Sequence, residues 1–115
     1  MKRQPGWKAE YEGEIHHAHS ARLERNEGMA RVCARRAAGI VIGEYLSRQG
    51  YKRLNASAFD CLQLFNSLPE VDEALKAIAS HFLLKVDHDH RLPVDVDLVK
   101  EAEILARILL LDNTN

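Results

Sequence analysis

The segment Met29–Gly50, MARVCARRAAGIVIGEYLSRQG, sets the fold class. It holds no proline, and its apolar and small residues recur at helical rather than alternating spacing, so it reads as one long helix. Val32, Ala37, Ile40, Val41 and Tyr45 supply the apolar weight, and Gly50 is a C-terminal stop. Ala30, Ala34, Ala37, Ala38, Gly39 and Gly43 leave little side chain between this helix and its neighbours, so another helix is expected to approach closely. Arg31, Arg35 and Arg36 share the same helix, and Arg31 and Arg35, four apart, lie on one face. Two uses fit such a row: an interhelical ion-pair seam, or a surface for phosphates, which arginine forks bind well.

The flanking sequence extends the helical pattern. A first helix is expected from about Trp7 to Arg25, with Trp7, Tyr11, Ile15, Ala18 and Arg22 on one face and a break at Asn26-Glu27-Gly28. A second follows from about Glu27 to Gln49. The third spans about Ala56 to Ser67, with Phe59, Leu62, Phe65 and Leu68 inward. The fourth opens at Pro69, a favoured first helical position, and runs to about Val86 with Val71, Leu75, Ile78, Phe82 and Val86 as its stripe. The fifth runs from about Asp97 to Leu111 behind Asp95 or Asp97 as N-cap, with Leu98, Ala102, Leu105 and Leu109 inward. Ile108–Leu111 is apolar all round and needs cover, from the N-terminal segment or a second subunit. Short links between long helices imply an all-α, antiparallel up-and-down bundle of about five helices, in a single domain over residues 1–115.

Charge divides the chain. Residues 1–53 carry eleven Lys/Arg against six Asp/Glu, and residues 54–115 carry five against eleven, for a net charge of −1. The halves either neutralise each other within the bundle, with the helix-two arginines meeting Asp87, Asp95 or Glu101, or present a basic face to nucleic acid or an acidic partner. No segment has the apolar length of a membrane span. The basic start, MKRQPGWKAEYEGE, lacks the apolar stretch of a secretory signal, and Cys33 and Cys61 fall in apolar helical patterns as buried thiols. A cytoplasmic protein is expected.

Three constellations bear on chemistry. At about 100° per residue, His17 points about 160° away from His19, whereas His16 and His19 can share an ion with help from Glu12 or a distant carboxylate; zinc wants three or four convergent ligands. Asp87, His88, Asp89 and His90 form a polar loop: Asp87 and His88 are candidate metal ligands, and His88 and His90 candidate acid/base residues if Arg31 or Arg35 lies close. The candidate ligand-binding residues are Arg31, Arg35, Arg36 and Arg91. Tyr45 is the only aromatic residue of helix two, which disfavours base stacking. There is no glycine-rich phosphate loop, CxxC pair or nucleophile elbow, and no cofactor is indicated.

This layout resembles the HEPN family of small helical domains. The resemblance starts at Trp7 and passes through the break at Asn26-Glu27-Gly28. It continues with Ala34-Arg35-Arg36-Ala37-Ala38, where the family has alanine, two glutamines and two small residues, and with Tyr45-Leu46 and Gly50. Arg91-Leu92-Pro93-Val94-Asp95 looks like the family's arginine–aromatic–proline–aspartate turn, and Asp97–Leu110, with Glu101-Ala102 and Ala106, like its final helix. It implies the bundle fold, a homodimer, and an association with RNA, a nucleotide or a nucleotidyltransferase partner. It does not imply the family's nuclease, because no arginine here is followed by a histidine five to seven positions on. Gly39 and Gly43 also stand where the family carries a glutamate and a lysine. A non-catalytic binding module is therefore expected in preference to an enzyme, with a homodimeric interaction module and a divergent ribonuclease using His88/His90 as alternatives.

Overall fold

A computed structural model describes residues 6–51, 57–85 and 92–111. Every regular element among them is helical: α1 (Trp7–Leu23), α2 (Glu27–Arg48), α3 (Ala58–Ser67), α4 (Glu73–His81), α5 (Leu98–Ala106) and a π-helical turn, Arg107–Leu111. None is long and apolar enough to cross a membrane.

α2 is the hub. α1, α3, α5 and the π turn all pack on it, and α4 packs on α3 and α5. Ala30, Cys33, Ala34, Ala37, Ala38, Gly39, Val41, Ile42, Gly43 and Leu46 of α2 are buried, so neighbours reach it from several sides. The closest approach is at Gly39, where an added Cβ would overlap the Cβ of Ala58 and lie 2.8 Å from its Cα; at Gly43 the nearest atom would be Cys61 Sγ at 3.7 Å. At Gly39 and Gly43 the expected small-residue contact is thus made by α3, while α1 packs most extensively on α2. Larger core side chains, among them Phe65, Phe82, Ile42, Leu62, Leu98 and Leu105, fill the wider gaps, and Tyr45 meets Phe65 edge-on at 5.6 Å.

The helix ends follow their local chemistry. α1 and α2 both close with paired backbone bonds around a left-handed residue. Asn26 N–H reaches Ala21 O at 2.8 Å and Arg25 N–H reaches Arg22 O at 3.0 Å, around Arg25 at φ 61°. Tyr51 N–H reaches Leu46 O at 2.9 Å and Gly50 N–H reaches Ser47 O at 3.1 Å, around Gly50 at φ 94°. This is the Schellman arrangement, which favours glycine at the left-handed position. Asn26 then caps α2 through its side chain, accepting from Met29 N–H at 3.0 Å.

Three boundaries differ from expectation. Ser57 and Asp60 form a capping box that starts α3 at Ala58, two residues later than Ala56. Pro69 does not open α4: Leu68 before it is extended, as proline demands of its predecessor, and Asp72 provides the cap, accepting from Ala74 N–H at 2.7 Å. α4 stops at His81, and the Phe82 carbonyl, an acceptor that a longer helix would use internally, is taken by Arg35 Nε at 2.8 Å. Of the expected α3 stripe, Leu62, Phe65 and Leu68 are buried, but Phe59 is 52% exposed. Leu109 and Leu110 are buried within the chain, in contact with α2 and α5, while Ile108 is exposed.

Candidate functional site: a cationic groove beside helix two

Arg31 and Arg35 stand on successive turns of α2 and line a groove of about 960 Å³. Glu27, Gly28 and Val32 join them from α2, Phe59 from α3, and the Phe82–Lys85 segment completes the lining. A pocket of this size holds a nucleotide-sized ligand. Its lining is mostly apolar and carries the cations Arg31, Arg35 and Lys85 and one carboxylate, Glu27.

Arg35 is the best-defined polar group in the groove. Its guanidinium is half-buried and anchored by the Phe82 carbonyl. Burial and the neighbouring charge of Arg31 both act to weaken its hold on its proton. Among the described residues no carboxylate pairs with it. Glu101, an expected partner of the α2 arginines, is held instead by His81 Nδ1 at 2.6 Å, and Asp95 is exposed. A carbonyl satisfies one of arginine's five donors and supplies no countercharge.

Among the described residues, opposite charges of the two halves meet at Arg22. Arg22 of α1 pairs with Glu27 of α2 at 2.6 Å and with Asp97, the N-cap of α5, at 3.1 Å. Burial pushes the Asp97 carboxyl up, and the hydrogen bonds from Arg22 and Lys100 N–H outweigh it, leaving the group below its ordinary range. The hydrogen bonds to Glu27 and then to Asp97 hold the Arg22 guanidinium more firmly protonated than usual.

No family model, curated protein or solved structure matches the chain.

The remaining candidates fall in different places. Arg36 is exposed and outside the groove lining. Asp87, His88, Asp89, His90 and Arg91 lie outside the described residues. His16 is exposed, and His19 Nε2 contacts Glu103 of α5 at 3.2 Å. Among the described residues the metal-ligand atoms that converge belong instead to Glu14, His17 and Cys33. Sequence reading missed Phe59 and Lys85 as groove residues, because their placement depends on how α3 and the end of α4 meet α2. It also missed the Glu-x-x-His spacing of Glu14 and His17, a signal that was present on one helix face.

Proposed function

We propose that this chain is a HEPN-like helical bundle, antiparallel and up-and-down, that serves as a non-catalytic binding module for the phosphate of a nucleotide or RNA. One observation carries the reading: Arg35 is half-buried beside a second arginine, anchored by a carbonyl and without a carboxylate partner among the described residues. A site that concentrates positive charge on partly desolvated side chains favours an anion, and arginine forks match phosphate geometry. Phe59 and Val32 offer an apolar face beside the cations, and Lys85 adds a further positive charge.

The test is binding of a short single-stranded RNA and of a nucleoside triphosphate to the purified chain as salt is varied. Salt-sensitive binding that Arg31→Ala with Arg35→Ala abolishes supports the module. Unchanged binding in that double variant removes the groove as the site.

The half-exposed Phe59 and Val32 also favour a second reading, in which a second copy of this chain covers the groove rim. Light scattering separates the two: a dimer dispersed by Phe59→Asp supports this reading, and a monomer at micromolar concentration counts against it.

A further inference from the structure

Glu14 and His17 are three apart on α1 and therefore share a face. Cys33 of α2 is buried against that face, at 2% exposure. One ligand atom from each of the three side chains lies within 4.8 Å of the other two. A second observation marks the spot: Glu14 Oε1 is buried and makes no hydrogen bond of normal geometry, and the donor beside its carboxyl is the Cys33 thiol. A thiol is a weak donor, so a buried carboxylate oxygen served by one lacks a strong donor or a cation.

We propose that Glu14, His17 and Cys33 form a binding site for a divalent transition-metal ion of the zinc class, with carboxylate, imidazole and thiolate as its three protein ligands. The donor set is one that zinc accepts. In a tetrahedral zinc site the ligand atoms stand roughly 3.3–3.8 Å apart, so closure requires movements on the order of 1 Å, within side-chain rotation. Glu14 and His17 are fixed on one helix and Cys33 on its neighbour, and small residues (Ala18, Ala30, Ala34) bury the seam between them. The exposed His17 gives the ion a route in and leaves a fourth position for water. On binding, the Cys33 thiol loses its proton to solvent and the S–H bond is replaced by a sulfur–metal bond. The site lies on the α1 side of α2 and is independent of the groove.

Co²⁺ and Zn²⁺ titrations of the full chain test this. The expected result is one Co²⁺ bound per chain with a thiolate-to-metal charge-transfer absorption, displaced by Zn²⁺. Cys33→Ser abolishes the charge-transfer band, and His17→Ala weakens affinity by about a hundredfold or more, since even outer-shell changes cost ten- to a hundredfold. His17 is exposed, so its variant folds even if Cys33→Ser does not, and circular dichroism checks both. Cys61→Ser and His16→Ala leave binding unchanged. Absence of Co²⁺ binding in the wild type overturns the proposal. So does binding that survives His17→Ala, or that is lost instead with His16→Ala or Cys61→Ser.

Discussion

Replacing Gly39 with alanine, and separately Gly43, gives opposite outcomes on one helix. The new Cβ at position 39 would sit 2.8 Å from Ala58 Cα, whereas carbon atoms rest at about 3.5–4.0 Å. The obstacle is backbone, so no rotamer change relieves it, and the start of α3 must retreat by about 1 Å. Overpacking of this kind costs about 3 kcal/mol at the upper end of its usual range. Alanine's better helix propensity returns about 1 kcal/mol, leaving a net loss of about 2 kcal/mol. At position 43 the Cβ meets Cys61 Sγ at an ordinary 3.7 Å, so the propensity gain stands alone and Gly43→Ala stabilises by about 0.5–1 kcal/mol. In urea, with an m-value of about 1.5 kcal/mol/M, the midpoint of Gly39→Ala falls by more than about 1 M while that of Gly43→Ala holds or rises. A Gly39→Ala chain as stable as wild type would refute the close α2–α3 contact, and with it the placement of Phe59 at the groove.

Other consequences follow from single groups. Arg25 occupies a left-handed position at φ 61°, so Arg25→Gly raises stability by about 0.5–1 kcal/mol, read as a higher urea midpoint; a drop contradicts the Schellman closure of α1. The Asp97 carboxyl is depressed in the folded chain, so its contribution is present above the ordinary carboxylate value near 3.9 and is lost as pH falls through the lower folded value. Asp97→Asn, which keeps a capping side chain, flattens that acid limb of the stability profile, and an unchanged limb assigns it to other groups. Burial, with Glu103 and Glu12 nearby, pushes the Tyr11 phenol up to about 12. Its contribution is therefore full below pH about 10 and is lost as pH rises through 12. Tyr11→Phe removes this alkaline loss, as followed by circular dichroism from pH 8 to 12.

Much of the helical content is legible in the sequence because it depends on local rules. Gly50 marks the end of α2, and the α5 stripe of Leu98, Ala102, Leu105 and Leu109 is buried as its spacing implies. Arg25 shows where such reading stops: the same closure forms with no glycine to announce it. Pro69 competes with Asp72 for the start of α4, and the side-chain cap wins. The groove is legible only in half. Arg31 and Arg35 share a face by spacing alone, but Phe59, Lys85 and the Phe82 carbonyl arrive through tertiary packing. Glu101 was equally available to an arginine or a histidine by charge, and the meeting of α4 with α5 gives it to His81.

Phosphate binding by Arg35 within the groove can be separated from the effect of charge alone. Arg36 is its natural control: it is adjacent in sequence, carries the same charge, is exposed and lies outside the groove. Fluorescence anisotropy of a labelled single-stranded RNA, measured across a salt series with Arg35→Ala and Arg36→Ala, separates a site from diffuse charge. Arg35→Ala is expected to bind at least about tenfold more weakly, with the slope of log affinity against log salt reduced by about one contact, and Arg36→Ala to change little. Equal losses in the two variants, or none in either, would contradict phosphate binding at Arg35.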